Sequence, residues 1–435
     1  MKKIIALFIC LVLLVGVFAA CGSPAEPAQP AQPAEPAEPA DPAEPAEPAE
    51  PGDGEEFEFA GTIRFGAALP ITGALSPEGI KQQNGYDLWA YMVNNSGGIQ
   101  VGDRRYLVEM VYMDYQSDTA TAVRLAENLI TEQDVSFLFG PFGSGAARAV
   151  SAVTEMYQIP MVAPTASAVS VFEDGNEFIF GMFTPDRTLT EPLATLAMAQ
   201  DDPPQTIAVI ARNDLFPLSI ANEAQVSAEE RGIEVVVFDQ FSAGVTDFAP
   251  ILIQVANADP CWVFVTGYAN DLIMVRRQMA ELGIEPKMLT MIAGAAYMEF
   301  IDGLGDLAEN VTAAVWWHDA VRYVGDDVFG TAENFARLYE ERFGYIPDYV
   351  IASAAAVGVV FQNAIERAGT LDPIAVRDAL AASDFISFFG PIRFDERGMQ
   401  TALEPPILQI MNGRHVPLHP SSIQEADLVY PMYPR

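Results

Sequence analysis

The stretch "VSFLFGPFGSGAARAVSAV", Val135 to Val153, passes from an apolar run to an amphipathic one through a loop of small residues, Gly140 to Gly145. The apolar run reads as a buried strand and the residues from Ser144 as a helix. Such a loop gathers free backbone N–H groups, the Ser144 hydroxyl and the positive end of a helix dipole. That combination suits an anion. The loop lacks the G-K-[ST] of a P-loop and the G-x-G-x-x-G of a dinucleotide turn, and no ribose-binding acid follows at a fitting place. A carboxylate is the anion that remains, although glycine also serves simple tight turns.

Outward from this loop the same alternation continues. "TIRFGAAL", "YLVEMVYMD", "PMVAP" and "FIFGMF" read as strands, with a helix over "KQQNGYDLWAYMVNNSGG" that stops at Gly97 and Gly98. Ala122, Leu125, Ala126, Leu129 and Ile130 give the next helix one apolar face. A second series begins at "TIAVIAR" and runs through "IEVVVFDQF", "CWVFVTG" and "MLTMIAG". Short apolar runs separated by helices mean buried parallel strands, so the fold class is α/β with two doubly wound lobes. Ligands bind such sheets beyond the carboxyl ends of the strands. A second loop of this kind, "APTASAV", carries the hydroxyls of Thr165 and Ser167 next to the first. Two such loops side by side make an anion cradle; two ordinary helix caps are the plainer alternative.

The N-terminus carries the marks of a secretory signal: "MKK", an apolar run from Ile4 to Ala20, and small residues before a cut. Phe18, Ala19, Ala20 and Cys21 resemble a bacterial lipobox, with Phe where Leu is commoner, which implies cleavage before Cys21 and lipidation of its thiol. An ordinary secretory signal with an incidental Cys is the alternative. No other apolar run reads as long enough to span a bilayer. After Cys21, "PAEPAQPAQPAEPAEPADPAEPAEPAEP" repeats every third residue, the period of polyproline II, and offers nothing to bury. It is expected to be a semi-rigid spacer of order 90 Å that holds a domain clear of lipid; a ligand for a proline-binding module is the rival.

The remaining chain, from about Phe59, is too long for one ordinary core. The formal net charge of −36 argues against nucleic acid and against docking on anionic lipid. Of the 3 cysteines, Cys10 goes with the signal and Cys21 is lipidated, so Cys261, read as part of a buried strand, has no partner for a disulfide or a metal site. His415 and His419 are a weak metal signal. No metal and no cofactor are expected.

Taken together, these motifs resemble the extracellular solute-binding proteins of branched-chain amino-acid ABC importers, of the leucine-binding type. The resemblance covers roughly Thr62 to Gly413. Besides the two loops it rests on "FGAALPITGALSPEGIKQQNGYDLWAYMVNNSGGI", "IAVIARNDLF" and "GPIRFDERG". It implies a periplasmic binding protein of type I: two Rossmann-like lobes joined by three hinge strands, closing on a ligand in the cleft. The implied crossings lie near Thr184–Pro185, Ala314–Trp317 and Phe394–Arg397. The corresponding division is a signal at 1–20, a lipidated spacer at 21–57, lobe 1 at 58–184 plus 316–394, and lobe 2 at 185–315 plus 395–435.

The resemblance implies that Ser144, Thr165, Ala166 and Ser167 hold a ligand α-carboxylate and that Phe216 and Tyr268 cover the ligand. The acid that pairs with the α-ammonium in the leucine-binding type falls at about Ile292 or Ala293, and no carboxylate stands there. The wall aromatic of the first lobe becomes Glu78, expected on a loop facing the cleft. A fifth-strand Arg becomes Gly181, and the cysteines of a disulfide known in some members become Ser117 and Gly143. The solute is therefore an amino acid with Glu78 as the counter-charge, or an organic or aromatic acid with no amine. Implied partners are a membrane permease and its ATPases. The expected location is the extracytoplasmic membrane face, as a lipid-anchored monomer.

Two other classes stand beside this reading. Hydrolysis would need a nucleophile elbow, G-x-S-x-G, which is absent, and a base for Ser144; His318 is the only histidine near a hinge strand. No catalytic residue is assigned. A sensor ectodomain would need a spanning helix or a signalling domain, and neither is read in the sequence; a lipoprotein that hands its solute to a receptor is the remaining form of that alternative.

Overall fold

The computed structural model describes residues 57–433. Cys21, the signal and the proline-rich spacer lie outside them. The first series comprises β1 (Phe59–Leu69), α1 (Ser76–Asn95), β2 (Ile99–Val101), β3 (Arg104–Asp114), α2 (Thr119–Thr131), β4 (Phe137–Phe139), α3 (Ser144–Tyr157), β5 (Met161–Ala163) and β6 (Ile179–Gly181). The second comprises α4 (Arg187–Met198), β7 (Thr206–Arg212), α5 (Leu215–Glu229), β8 (Glu234–Phe241), α6 (Ala249–Ala258), β9 (Trp262–Gly267), α7 (Ala269–Glu281), β10 (Met288–Ala293), α8 (Met298–Leu304) and β11 (Thr312–Ala314). There follow α9 (Ala332–Phe343), α10 (Tyr349–Ala368), α11 (Pro373–Ala381), the hairpin β12 (Asp384–Ser387) and β13 (Gly390–Arg393), then β14 (Ile407–Met411) and β15 (Arg414–His419).

The strands form a 6-stranded sheet in the order β2-β3-β1-β4-β5-β6 and a 7-stranded sheet in the order β15-β14-β11-β10-β9-β7-β8. Every strand of β4, β5, β6, β9 and β10 is buried along its whole length, which is why these runs are uniformly apolar rather than alternating. In the first sheet β1 lies between β3 and β4, parallel to both. In the second β7 lies between β8 and β9, again parallel to both. These are the points where the winding reverses, so the loops after β1, β4, β7 and β9 bound the natural ligand crevice.

The chain passes between the lobes near residues 182–187 and 314–317. The third passage is later than the expected Phe394–Arg397. Met399 still pairs with Gly181 on the free edge of β6, and the Gly181 amide donates to the Gly398 carbonyl. The chain reaches the second sheet only where Val315 donates to Pro406 and β14 begins at Ile407. The turn at 395–398 satisfies backbone groups of an edge strand that would otherwise be left unpaired.

Helix α10 is long and apolar enough to cross a bilayer, contrary to the expectation that no run outside the signal is. It is the central helix of the first lobe, with 83% of its apolar window buried in protein. Its packing against α1 depends on two glycines. A Cβ on Gly358 would lie 2.0 Å from the Trp89 ring, and one on Gly85 would lie 2.4 Å from the Ile351 carbonyl. Trp89 is fully buried and packs edge-on against Phe65. Gly358→Ala and Gly85→Ala should each destabilise the fold by about 1–3 kcal/mol through overpacking. Urea denaturation checks this, and a wild-type midpoint in both variants would contradict the close α1–α10 approach.

Candidate functional site

The loop after β4 and the loop after β5 are tied together by their own hydroxyls. The Gly143 amide donates to Thr165 Oγ1 at 2.9 Å, and the amides of Ser167 and Ala168 donate to Ser144 Oγ at 3.2 and 3.3 Å. Gly143 carries φ 82°, in the left-handed region that favours glycine, which lets the chain turn into α3 directly after the strand. Accepting from the backbone leaves each hydroxyl proton of Ser144 and Thr165 free to donate. Ser167 Oγ is buried and has no partner among the described residues. Three hydroxyl donors and the N-terminus of a 14-residue helix thus converge on one place. Ser144, Thr165, Ala166 and Ser167 are all buried. The four residues expected as a cradle do lie together.

The second lobe closes over them with aromatic rings. Phe142 of the first lobe meets Tyr268 at a centroid distance of 5.8 Å, and Phe216 stacks on Tyr268 at 6.4 Å. Tyr268 sits at the N-terminus of α7, where its amide donates to Asp271 Oδ2. The Arg212 guanidinium lies 4.8 Å from the centre of the Tyr268 ring. Arg212 ends β7 and is bound by Asp214 at 2.6 Å and Asp271 at 3.0 Å.

Glu78 is not on a loop. It occupies the first turn of α1, which begins five residues before the quoted helical stretch, and it is 3% exposed. It lines a cavity of about 120 Å³ with Lys81, Arg212, Tyr268, Asp271, Tyr297 and Glu299. Lys81 is held by Asp348 at 2.8 Å and by Glu299 at 2.9 Å, and it lies 3.6 Å from the centre of the Tyr297 ring. Glu299 belongs to the second lobe, so Lys81 bridges the cleft. Glu78 Oε2 has no partner among the described residues. Burial pushes this carboxyl up to about 7, against the pull of its own backbone N–H and of Lys81, with Asp348 and Glu299 adding to the rise.

Asp186 is a further group that the sequence reading missed. It lies in the first passage between the lobes, at the N-terminus of α4, is 1% exposed, and neither carboxyl oxygen has a hydrogen-bond partner among the described residues. Burial pushes it up to about 7; the hydroxyls of Ser167 and Ser219 face it and pull the other way, and Glu223 adds to the rise. Neither hydroxyl completes a hydrogen bond to it. Of Lys81, Arg212 and Asp186, only Arg212 carried a sequence signal, as a charged residue closing an otherwise apolar strand. Cys261 is half-buried and precedes β9 rather than lying in it. No group of three or more metal-ligating side chains is found among the described residues. His415 instead bonds the Ala295 carbonyl through Nε2.

The raised carboxyl gives stability a definite pH dependence. The ordinary value for Glu78 is 4.5, so between that and about 7 the unfolded chain releases its proton while the folded one keeps it. Stability from this group is therefore full below the ordinary value and is lost as pH rises towards 7, by an amount on the order of 3 kcal/mol. Glu78→Gln should flatten that part of the profile in denaturant titrations of the unliganded protein. A variant profile parallel to wild type would mean that Glu78 is ionised freely.

A family model for periplasmic binding proteins matches residues 62–413. The leucine-, isoleucine-, valine-, threonine- and alanine-binding protein of Pseudomonas aeruginosa is 27% identical over 341 residues, 78% of this chain and 87% of that one. A leucine-binding protein, LivK, from Thermotoga maritima superposes with a TM-score of 0.73 at 22% identity, covering 82% of this chain and 97% of that one. A solute-binding protein of an R. palustris ABC transporter, solved with benzoate, gives 0.69 at 18% identity over 82% and 95%. The two-lobed α/β fold agrees with these structures, and the chain belongs to the periplasmic binding protein family.

Proposed function

We propose that the protein is the lipid-anchored capture component of an ABC importer, that it takes an amino acid into the interlobe cleft, and that it hands the solute to a permease without transforming it. The observation that carries this reading is the convergence of the Ser144, Thr165 and Ser167 hydroxyls on the N-terminus of α3. Hydroxyl and helix-end donors in a buried site bind a carboxylate well, because they are fixed before the ligand arrives. Phe216 and Tyr268 then cover the ligand from the second lobe, and Glu78 supplies negative charge for a cationic group on it. The Pseudomonas relative, named for five amino acids, supports an amino acid over other carboxylates. The Rhodopseudomonas structure with benzoate keeps an amine-free acid as the second reading. Against it stand the two carboxyls of the cleft, Glu78 and Asp186, which repel an acid with no compensating cation. Closure is a population shift, set by the extra affinity of the closed form.

Thermal-shift screening of amino acids, organic acids and aromatic acids tests the class. A solute at about a hundred times its Kd stabilises the fold by about 2.7 kcal/mol. Ser144→Ala and Thr165→Ala each remove a hydrogen bond to a charged group, so affinity should fall by about ten- to a hundredfold in each. Calorimetry with unchanged affinity in both variants would place the carboxylate elsewhere.

The anchor is tested separately. Cys21→Ser should move the protein from the membrane fraction to the soluble fraction of cells, with the solute affinity of the purified domain retained. Retention of the variant on membranes after a high-salt wash would mean that the attachment does not run through Cys21.

A further inference from the structure

The cleft contains more acid than its own bases can neutralise. Lys81 is matched by Asp348 and Glu299, and Arg212 by Asp214 and Asp271. Glu78 and Asp186 are left, each nearly fully buried: Glu78 Oε2 has no partner among the described residues, and Asp186 has only the Ser167 and Ser219 hydroxyls facing it, with no cation. A buried carboxyl without a cation is unfavourable, and such groups are found where a ligand completes them. The two lie in different parts of the cleft. Asp186 faces Ser167 of the cradle, so its partner must sit beside the bound carboxylate. Glu78 lines the outer cavity of about 120 Å³, walled by Tyr268 and Tyr297.

These positions match the two ends of one molecule. In an α-amino acid the ammonium is separated from the carboxylate by a single carbon, so it falls next to the cradle. The side chain then leads outward. Around the outer cavity, the carboxyls of Glu78, Glu299, Asp348, Asp214 and Asp271 face only the two cations Lys81 and Arg212. A leucine side chain would cover these groups without satisfying them. A cationic side chain would meet the open acceptor of Glu78.

We infer that the solute is a basic amino acid, with Asp186 receiving its α-ammonium and Glu78 its side-chain cation. This rests on the binding role proposed above and adds the substrate class. Both assignments concern specificity, and they separate cleanly. Asp186 reads a group that every amino acid has. Glu78 reads a group that only the basic ones have.

The test is calorimetry on the purified binding domain with lysine, arginine, leucine, norleucine and benzoate. Norleucine has the length of lysine without its charge. Lysine or arginine should bind at least about tenfold tighter than norleucine and leucine, the scale of one hydrogen bond to a charged group. Glu78→Gln should erase most of that ratio. Asp186→Asn should weaken lysine and norleucine by a similar factor, about tenfold or more, leaving the ratio intact. The same Asn variant should raise the melting temperature of the unliganded protein at about pH 8, because it replaces an unpaired buried charge by an amide. A merely structural Asp186 would give a lower melting temperature instead. If leucine binds as tightly as lysine, the basic class is wrong while the amino-acid binding role stands. If benzoate binds and no amino acid does, both fail. If Asp186→Asn leaves both affinities unchanged, Asp186 is not the ammonium acceptor.

Discussion

Phe183 and Trp316 stack face to face at 4.0 Å with their planes 2° apart, and Trp316 Nε1 donates to the Thr184 carbonyl. This contact joins the first passage between the lobes to the second. Both rings are almost fully buried. A stacked pair this large resists separation but permits small rotation, since sliding parallel rings loses little contact. It fixes where the lobes can meet, and every contact across the cleft follows from that placement. Phe216 and Tyr349 pack around the same indole at 6.2 and 5.9 Å, so the clasp also forms the floor of the cleft.

On this floor the fold accepts an unfavourable arrangement. The loops of the cradle satisfy one another through Ser144 and Thr165, which makes them rigid. Asp186 beside them stays unpaired. A network that was fully satisfied in the unliganded protein would have nothing left to offer a solute. Keeping one acceptor open destabilises the unliganded state. The bridge from Lys81 to Glu299 and Tyr297 acts in the other sense. It holds the lobes together across the cleft mouth without the solute, at a site where both carboxylates of the pair are already present.

Much of this was legible along the chain. The apolar runs are short and unbroken because their strands are buried on both faces, so the α/β class and the two series of strands could be read directly. The paired loops could also be read, since Gly143, Ser144, Thr165 and Ser167 follow strands and precede helical patterns. Glu78 is expected on a loop, whereas α1 begins at Ser76 with Pro77 in its first turn, where the missing N–H loses nothing. The third passage was placed early because pairing of the 395–400 turn with the edge of β6 is a contact between segments far apart in sequence.

What the sequence determined by itself is local and periodic: the strands, the helix faces and the small-residue loops after β4 and β5. Those depend on residues within one or two turns of each other. Only the tertiary structure decided which ionisable groups are matched. Lys81 and Asp348 are remote in sequence, as are Arg212 and Asp271, and whether a carboxyl is neutralised or left alone depends on distances of a few ångströms between such segments. Burial works the same way. Asp186 looks like any helix-capping acid in the sequence, yet it is 1% exposed in the fold, with Ser167 and Ser219 facing it and no cation. Charge interactions fall off with distance and strengthen in a dry interior, so their outcome is set by the assembled cleft.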